Sequence, residues 1–207
     1  MKVFVAGATG RVAQQLIDRL VEKGHFVYAG ARRENEIPES DQVKPVHLDL
    51  HEDVADLAKT LGDAEAVYFV AGSRGKDLLQ TDLYGSVKLM QAAEQEGIGR
   101  YIQLSSLFAL VPENWSDSIL EYNIAKYFSD SWLINNTDLD YTIIQPGSLK
   151  EEKGSGKITT TIEERSENSI ENVATVLSEV LKRPNTYQKV ILMGDGDTPI
   201  DEALAAI

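Results

Sequence analysis

The chain has 207 residues, enough for one large domain or two small ones with a substantial core. Its 20 Lys and Arg against 33 Asp and Glu give a formal net charge of −13, which argues against nucleic acid and anionic membranes as general partners, though not against a local basic pocket for a phosphate. The chain has no cysteine, so disulfides, thiolate catalysis and cysteine-ligated metal sites are excluded.

The histidines do not predict a metal site. His47 and His51 lie four residues apart, but Pro45 and the strand predicted before Asp49 argue against a shared helical face, and His25 is remote in sequence. No stretch reaches the roughly 18 apolar residues of a membrane span. The first strand begins so early that no signal peptide is expected, and the expected location is the cytoplasm.

Apolar runs of strand length alternate with segments of helical periodicity. The predicted strands are Val3–Ala6, His25–Ala31, Val43–Leu48, Ala64–Ala71, Tyr101–Leu104, Tyr141–Gln145, Lys157–Ile162 and Val190–Met193. The predicted helices are Arg11–Lys23, His51–Leu61, Asp77–Glu96, Ile119–Asn135, Ile170–Lys182 with Ser169 as its cap, and Ile200–Ala206. Uniformly apolar strands separated by helices indicate an α/β fold with a doubly wound, mainly parallel sheet covered by helices on both faces.

The pattern changes after Pro146. Residues 151–156 are polar and glycine-rich, which is typical of a loop, and the roughly 60 residues that remain are too few for a second full domain. We therefore predict one domain over residues 1–207, in which residues 150–207 form a small C-terminal extension on the substrate side.

The first strand runs directly into the turn GATGRVA, residues 7–13, and a helix follows at once. One glycine lets the chain turn tightly, a second lets the backbone approach a pyrophosphate, and the helix N-terminus points free N–H groups at that anion. Ala13 is small enough for close packing of helix and strand. The predicted cofactor contacts of this turn are Gly7, Thr9, Gly10, Arg11 and Val12.

The end of the second strand favours NADP over NAD. The NAD form of this fold carries an acid there to hold the ribose 2′-hydroxyl, but this chain has Arg32 and Arg33 and no carboxylate before Glu34. Guanidinium groups suit a 2′-phosphate, and Arg11 could also reach it. Asp49, at the end of the third strand, could bind an adenine amino group or could cap the helix predicted after it.

Several motifs follow successive strands in a fixed order. They are GATGRVA, Arg32-Arg33, Asp49-Leu50, Ala71-Gly72, Leu104-Ser105-Ser106 and Gln145-Pro146-Gly147. In this order they resemble the atypical short-chain dehydrogenase/reductases, and more narrowly the compact NAD(P)-binding Rossmann proteins related to NAD-dependent epimerase/dehydratases, biliverdin reductase B and NmrA-type regulators. The resemblance spans about residues 1–195. The chain is much shorter than the full-size epimerases, which argues against nucleotide-sugar epimerisation.

The resemblance implies a catalytic group of Ser106, Tyr122 and Lys126, with Ser105 as the second choice for the serine. In the family the Tyr is the general acid/base, the Lys assists it and binds the nicotinamide ribose, and the Ser orients the substrate oxygen. The other cofactor contacts that the resemblance implies are Asp49, Leu50, Ala71, Gly72, Ser105, Lys126, Pro146 and Gly147.

A second Tyr/Lys pair, Tyr84 and Lys88, has the same four-residue spacing. The family's pair follows the serines of the fifth strand, so we assign Tyr84 to packing instead. Phe108 and Trp115 could wall a substrate pocket or belong to the core. Trp132 fits the apolar face of its helix and is predicted to be core.

These features predict an oxidoreductase that reduces a small carbonyl, quinone or flavin-like acceptor with NADPH in preference to NADH. Two alternatives remain open at this point: a non-catalytic NADP(H)-binding redox sensor of the NmrA type, and an epimerase or isomerase that retains its cofactor. The expected partner is a small-molecule substrate, and a homodimer is possible.

Overall fold

The computed structural model describes residues 1–207 and confirms the predicted α/β fold. Its strands are β1 Lys2–Ala6, β2 Phe26–Ala31, β3 Val43–His47, β4 Ala66–Phe69, β5 Arg100–Leu104, β6 Asp140–Pro146, β7 Ser148–Lys150, β8 Lys157–Thr159, β9 Glu167–Ser169, β10 Lys189–Asp195 and β11 Thr198–Pro199. Its α-helices are α1 Arg11–Glu22, α2 Val54–Leu61, α3 Ser86–Gln95, α4 Leu120–Asn136, α5 Ile170–Glu179 and α6 Ile200–Ala205. None of them combines the length and apolar composition needed to cross a membrane.

The main sheet has nine strands in the order β11-β8-β10-β6-β5-β4-β1-β2-β3. The strands from β10 to β3 are all parallel to one another, and β8 and β11 add antiparallel pairs at one edge. The short strands β7 and β9 pair separately. Because the central strands are parallel, their carboxyl ends and the loops that follow them lie along one edge of the sheet.

Both faces of the sheet are buried. Val3 and Val5 of β1 belong to one cluster of 28 buried residues with α1, α5 and α6, whereas Phe4 and Ala6 belong to a second cluster of 19 on the opposite face with α2, α3 and α4. Alternate side chains of one strand thus enter different cores, which explains why the strands are apolar throughout rather than alternating.

The C-terminal residues complete this architecture. Strand β10 pairs with β6 in the main sheet. Helix α5 is joined to α1 by a hydrogen bond, which Arg19 Nε of α1 donates to Thr175 Oγ1 of α5 at 2.8 Å. The predicted cap of α5 is confirmed, because Ser169 Oγ accepts a hydrogen bond from Asn172 N at 3.0 Å.

Two predicted helices differ from the structure. The helix predicted over His51–Leu61 begins only at Val54, because Asp53 caps it by accepting from Asp56 N at 3.0 Å. Asp49 therefore does not cap this helix, and its Oδ1 accepts from the backbone N of His51 instead.

The helix predicted over Asp77–Glu96 is not one regular α-helix. Residues Leu78–Gly85 form a π-helical segment, and the α-helix begins only at Ser86. A Cβ on Gly85 would lie 2.8 Å from both the Gln80 oxygen and the Leu50 Cβ, so the wider turn fits here only around a residue without a side chain. The apolar periodicity of the sequence carries no sign of this change.

Helix α4 buries a polar face and exposes an apolar one. Its buried residues are Asn123, Ala125, Lys126, Ser129, Asp130 and Leu133. Phe128 is 55% exposed and Trp132 is 38% exposed, and the two lie one turn apart. The assignment of Trp132 to the core was therefore wrong, because the inward side of this helix is occupied by polar groups. Tyr84 is likewise 52% exposed rather than packed.

The polar face of α4 packs on a buried hydrogen-bond network. The carboxyl group of Asp130 accepts from Ser105 Oγ at 2.6 Å and from Gln145 Nε2 at 2.9 Å through Oδ2, and from Gln103 Nε2 at 2.6 Å through Oδ1. Burial raises the pKa of Asp130 above its usual range, against the effect of these hydrogen bonds. The network connects the ends of β5 and β6 to the middle of α4.

This raised pKa predicts how stability depends on pH. An acid whose pKa is higher in the folded than in the unfolded state stabilises the fold below its unfolded value of about 3.9, and this contribution is lost as the pH rises through the folded value. In urea unfolding at pH values stepped upward from the unfolded value, about 3.9, we expect the free energy of unfolding of the wild type to fall relative to Asp130→Asn by up to about 1.4 kcal/mol per pH unit. Asp41→Asn, at an exposed carboxylate without a side-chain hydrogen bond, is the control and should run parallel to the wild type. If the difference in free energy of unfolding between the wild type and Asp130→Asn did not change with pH, the pKa of Asp130 would not be raised.

Candidate functional site

A cavity of about 1280 Å³ opens at the carboxyl edge of the parallel strands. Residues after β1, β2, β3, β4, β5 and β6 all contribute to its wall. Every site residue predicted from the sequence lines it: Gly7, Thr9, Gly10, Arg11, Val12, Arg32, Arg33, Asp49, Leu50, Ala71, Gly72, Ser105, Ser106, Tyr122, Lys126, Pro146 and Gly147. The motifs that are scattered along the chain thus meet at one place.

The backbone of the glycine turn is so close to its neighbours that side chains at Gly7 and Gly10 would collide with them or crowd them. Gly7 has φ +90°, and a Cβ there would lie 2.5 Å from the Cα of Ala71, at the end of β4. A Cβ on Gly10 would lie 3.1 Å from the Gly7 oxygen. No side chain caps the N-terminus of α1. Gly10, Arg11 and Val12 at this helix end line the cavity, an arrangement that fits the pyrophosphate of a dinucleotide.

The three arginines predicted to bind a phosphate are not equivalent. Arg33 pairs with Glu36 at 2.8 Å, and Arg11 pairs with Glu151 at 2.5 Å. Arg32 lines the cavity and makes no side-chain hydrogen bond or ion pair. Its guanidinium is therefore free to bind an anionic ligand.

The first carboxylate after β2 in the sequence, that of Glu34, is already hydrogen-bonded to a histidine. Glu34 hydrogen-bonds His47 Nδ1 at 3.0 Å, which holds the pKa of Glu34 below its usual range. The other nearby histidine, His51, lies 2.6 Å from Asp77 through its Nε2. Both histidines thus have single carboxylate partners, and no group of three or more potential metal ligands occurs.

Tyr122 and Lys126 lie one turn apart on α4 and both line the cavity. The Lys126 Nζ lies 5.7 Å from the centre of the Tyr122 ring and donates to the Leu104 oxygen at 3.2 Å. Lys126 is only 3% exposed, so its ammonium group is fixed beneath the cavity rather than free in solvent. Tyr122 is half-buried, and its hydroxyl makes no hydrogen bond within the chain.

The two serines after β5 have different surroundings. Ser105 donates its hydroxyl hydrogen to Asp130 and is part of the buried network. Ser106 is half-buried and its hydroxyl has no partner within the chain. Of the two, only Ser106 therefore has a hydroxyl group available to donate to a ligand, in agreement with its place as the first choice.

The second Tyr/Lys pair lies outside the cavity. Lys88 Nζ donates to the Glu52 oxygen at 2.6 Å and lies 4.9 Å from the centre of the Tyr84 ring. Trp115 also does not line the cavity: its Nε1 donates to the oxygens of Phe108 and Ala109 at 3.1 Å and holds the turn in which Phe108 has φ +58°. Phe108 itself does line the cavity.

Some cavity residues were not predicted. They are mainly Arg74, Lys76, Asp82, Asn123 and the segment 163–166. The oxygen of Ser166 would be 2.0 Å from a Cβ on Gly147, so this segment packs tightly on the turn after β6. No local pattern connects residues 163–166 to that turn. Asn123, by contrast, lies three residues before Lys126 on the same face of α4, and that spacing could have identified it.

Comparisons with known proteins agree with this geometry. A family model described as NAD(P)H-binding matches residues 7–184. The chain is 44% identical to the oxidoreductase ylbE from Lactococcus lactis, whose crystal structure superimposes with a TM-score of 0.96 over 100% of this chain and 96% of that one. It is 34% identical to a Bacillus subtilis protein named "Uncharacterized sugar epimerase YhfK", over 99% of both chains.

More distant structures share the fold. A short-chain dehydrogenase/reductase from Veillonella parvula, solved in complex with NADP, is 17% identical with a TM-score of 0.75 and covers 95% of both chains. The resemblance inferred from the motifs is thus confirmed, and together with the family match it establishes that the chain belongs to the NAD(P)H-binding family of Rossmann-fold proteins.

Proposed function

We propose that the protein is an NADPH-dependent reductase of a small carbonyl, quinone or flavin-like acceptor. The observation that carries this proposal is that Ser106, Tyr122 and Lys126 line the same cavity as the glycine turn. A dinucleotide whose pyrophosphate lay on that turn could extend toward these three side chains. The solved relative from Lactococcus lactis that is named an oxidoreductase, at 44% identity, supports the proposal.

The preference for NADPH follows from charge. Arg32 offers an unpaired guanidinium on the cavity wall, whereas Glu34, the nearest acid after β2, is held by His47. A free cation at this point favours a ribose 2′-phosphate over a 2′-hydroxyl. Arg33 would contribute less, since binding a phosphate would require it to leave or share Glu36.

The chemistry of the proposal assigns each side chain one task. When bound, NADPH supplies the hydride. The Tyr122 phenol donates its proton to the oxygen of a carbonyl acceptor, and Ser106 donates a hydrogen bond that orients that oxygen. The nearby ammonium of Lys126 stabilises the negative charge that develops on the phenol oxygen as its proton leaves.

A second candidate is an epimerase that retains its cofactor, which the name of the Bacillus subtilis relative favours. Net consumption of NADPH separates the two, because an epimerase returns the hydride to its substrate.

The arginines provide the first test. We expect Arg32→Ala to weaken NADPH binding by roughly 10- to 100-fold, the range for one charge-assisted contact, while NADH binding changes by less than about twofold. Arg33→Ala is the matched comparison and should have the smaller effect on NADPH. The measurement is the dissociation constant of each cofactor from nicotinamide fluorescence. An equal loss for NADPH and NADH would show that Arg32 does not bind the 2′-phosphate.

Tyr122→Phe provides the second test. With a panel of carbonyl acceptors, we expect the rate of NADPH oxidation to fall by about 10²- to 10⁴-fold, the usual contribution of a general acid. The dissociation constant of NADPH should stay within about twofold, because the change removes one hydroxyl from the acceptor side. Tyr84→Phe, at the equivalent pair outside the cavity, should keep full activity. Full turnover in Tyr122→Phe would contradict the assigned acid, and NADPH binding without turnover on any acceptor would favour a redox sensor.

A further inference from the structure

One polar side chain on the inward face of α4 has no partner within the protein. Asn123 is 3% exposed and lines the cavity, but its side-chain amide forms no hydrogen bond within the chain. Lys126, Ser129 and Asp130, on the same buried face, are each held by hydrogen bonds. A buried amide without a partner is unfavourable unless water or a ligand takes its hydrogen bonds. The mechanism described above makes no use of this group.

The amide of Asn123 is open to the cavity. The fully enclosed side-chain atoms that lack a hydrogen bond belong to Ser73, Asp82 and Tyr101, and neither amide atom of Asn123 is among them. Because Asn123 lines the cavity, its unpaired amide oxygen and nitrogen are exposed to the space inside it. A ligand in the cavity can therefore reach both atoms.

Asn123 belongs to the end of the cavity that lies away from the glycine turn. It precedes Asp130 by two turns of α4, so the two residues share a face of that helix. Asp130 accepts from Ser105, which follows β5, and from Gln145 of β6. This face of α4 therefore packs over the ends of β5 and β6, and β4 separates both strands from β1 and its glycine turn. Asn123 is thus placed where the acceptor is proposed to bind.

Apolar side chains line the same end of the cavity. They come from the segments that follow β5 and β6 and from the residue that precedes α4, and they are Leu107, Phe108, Leu149 and Ile119. A pocket of this kind holds a ligand by its apolar surface, and the few polar groups in its wall fix the orientation. An apolar ring with a polar edge on the Asn123 amide would fit this arrangement.

An amide side chain has a specific chemical complement. It offers N–H donors and a carbonyl oxygen side by side, whichever way the amide is turned. A ligand that presents an N–H next to a C=O can therefore form two parallel hydrogen bonds with it. Simple carbonyl compounds and quinones carry the C=O alone, whereas the ring of a flavin-like acceptor carries an imide edge with both groups.

We propose that Asn123 is a specificity-determining residue that selects an acceptor with a cyclic amide or imide edge, through paired hydrogen bonds to its N–H and C=O. This inference rests on the proposed function, because the acceptor is the substrate of that reduction. It narrows the three classes of acceptor to one. The carboxamide of the nicotinamide ring offers the same chemistry, so the test includes the cofactor as a separate arm.

The test is isothermal titration calorimetry of the protein saturated with NADP⁺, which has no hydride to transfer. The probes are riboflavin, 3-methylriboflavin, which lacks the imide N–H, and menadione, a quinone. We expect the wild type to bind riboflavin roughly 5- to 50-fold more tightly than 3-methylriboflavin, the range for one or two neutral hydrogen bonds. Asn123→Ala should weaken riboflavin by a similar factor and should bind the two flavins within about twofold of each other. Menadione and NADP⁺ should each change by less than about threefold.

Asn136→Ala is the matched control, because Asn136 is an exposed asparagine on the same helix and does not line the cavity. It should bind every probe as the wild type does. Asn123→Ala removes no hydrogen bond within the protein, so we expect it to fold. Should it not fold, Asn123→Leu, which keeps the volume of the side chain, carries the test with the same expected losses.

The outcomes separate this inference from the function on which it rests. If the wild type binds no riboflavin, or binds both flavins equally, or if the folded Asn123 variants keep the wild-type preference, the inference is overturned. Oxidation of NADPH by menadione would then leave the proposed function in place. A loss of NADP⁺ affinity as large as the loss of riboflavin affinity would assign Asn123 to the cofactor and would also overturn it. A wild type that binds no NADPH would overturn the proposed function, and this inference with it.

Discussion

The contact on which the rest of the site depends is between two pieces of backbone, at Gly7 after β1 and Ala71 after β4. Their separation leaves no room for a side chain at residue 7, where a Cβ would lie 2.5 Å from the Ala71 Cα. Because of this approach, the N-terminus of α1 opens directly onto the cavity, and the chain after β4 passes next to it. The parallel sheet places β1 next to β4, and the absence of a Cβ at Gly7 leaves room for the chain after β4 to come close.

Helix α4 is the second organising element, and its two faces are reversed from the usual pattern. Its inward face carries Lys126 toward the cavity and Asp130 into the network with Ser105. The apolar side chains Phe128 and Trp132 are left at the surface. A helix that holds polar groups against the ends of β5 and β6 can position catalytic side chains rigidly, because Lys126, Ser129 and Asp130 are each held by hydrogen bonds.

Much of the site could be predicted from the sequence because its signals are local. The glycine turn, Arg32 after β2 and the serines after β5 each adjoin a strand end, and parallel topology then places all of them at one edge of the sheet. The order of the motifs selected Tyr122, which lines the cavity, over Tyr84, which does not.

What was missed depends on contacts between distant parts of the chain. The π-helical segment packs its Gly85 against Leu50, which is more than 30 residues away in sequence, and it contains the buried Asp82. Trp132 was misplaced because spacing identifies an apolar face but does not say which side of a helix faces the protein. In this helix the inward positions are taken by hydrogen-bonded polar residues, a choice that only the partners on β5 and β6 explain.

A crystal structure of the protein with NADPH would test the central claim most directly. The account predicts a pyrophosphate on the backbone N–H groups at the start of α1, a 2′-phosphate on Arg32, and the nicotinamide ring beside Tyr122 and Ser106. A cofactor bound elsewhere on the protein, or bound in this cavity with its nicotinamide directed away from Tyr122, would contradict it.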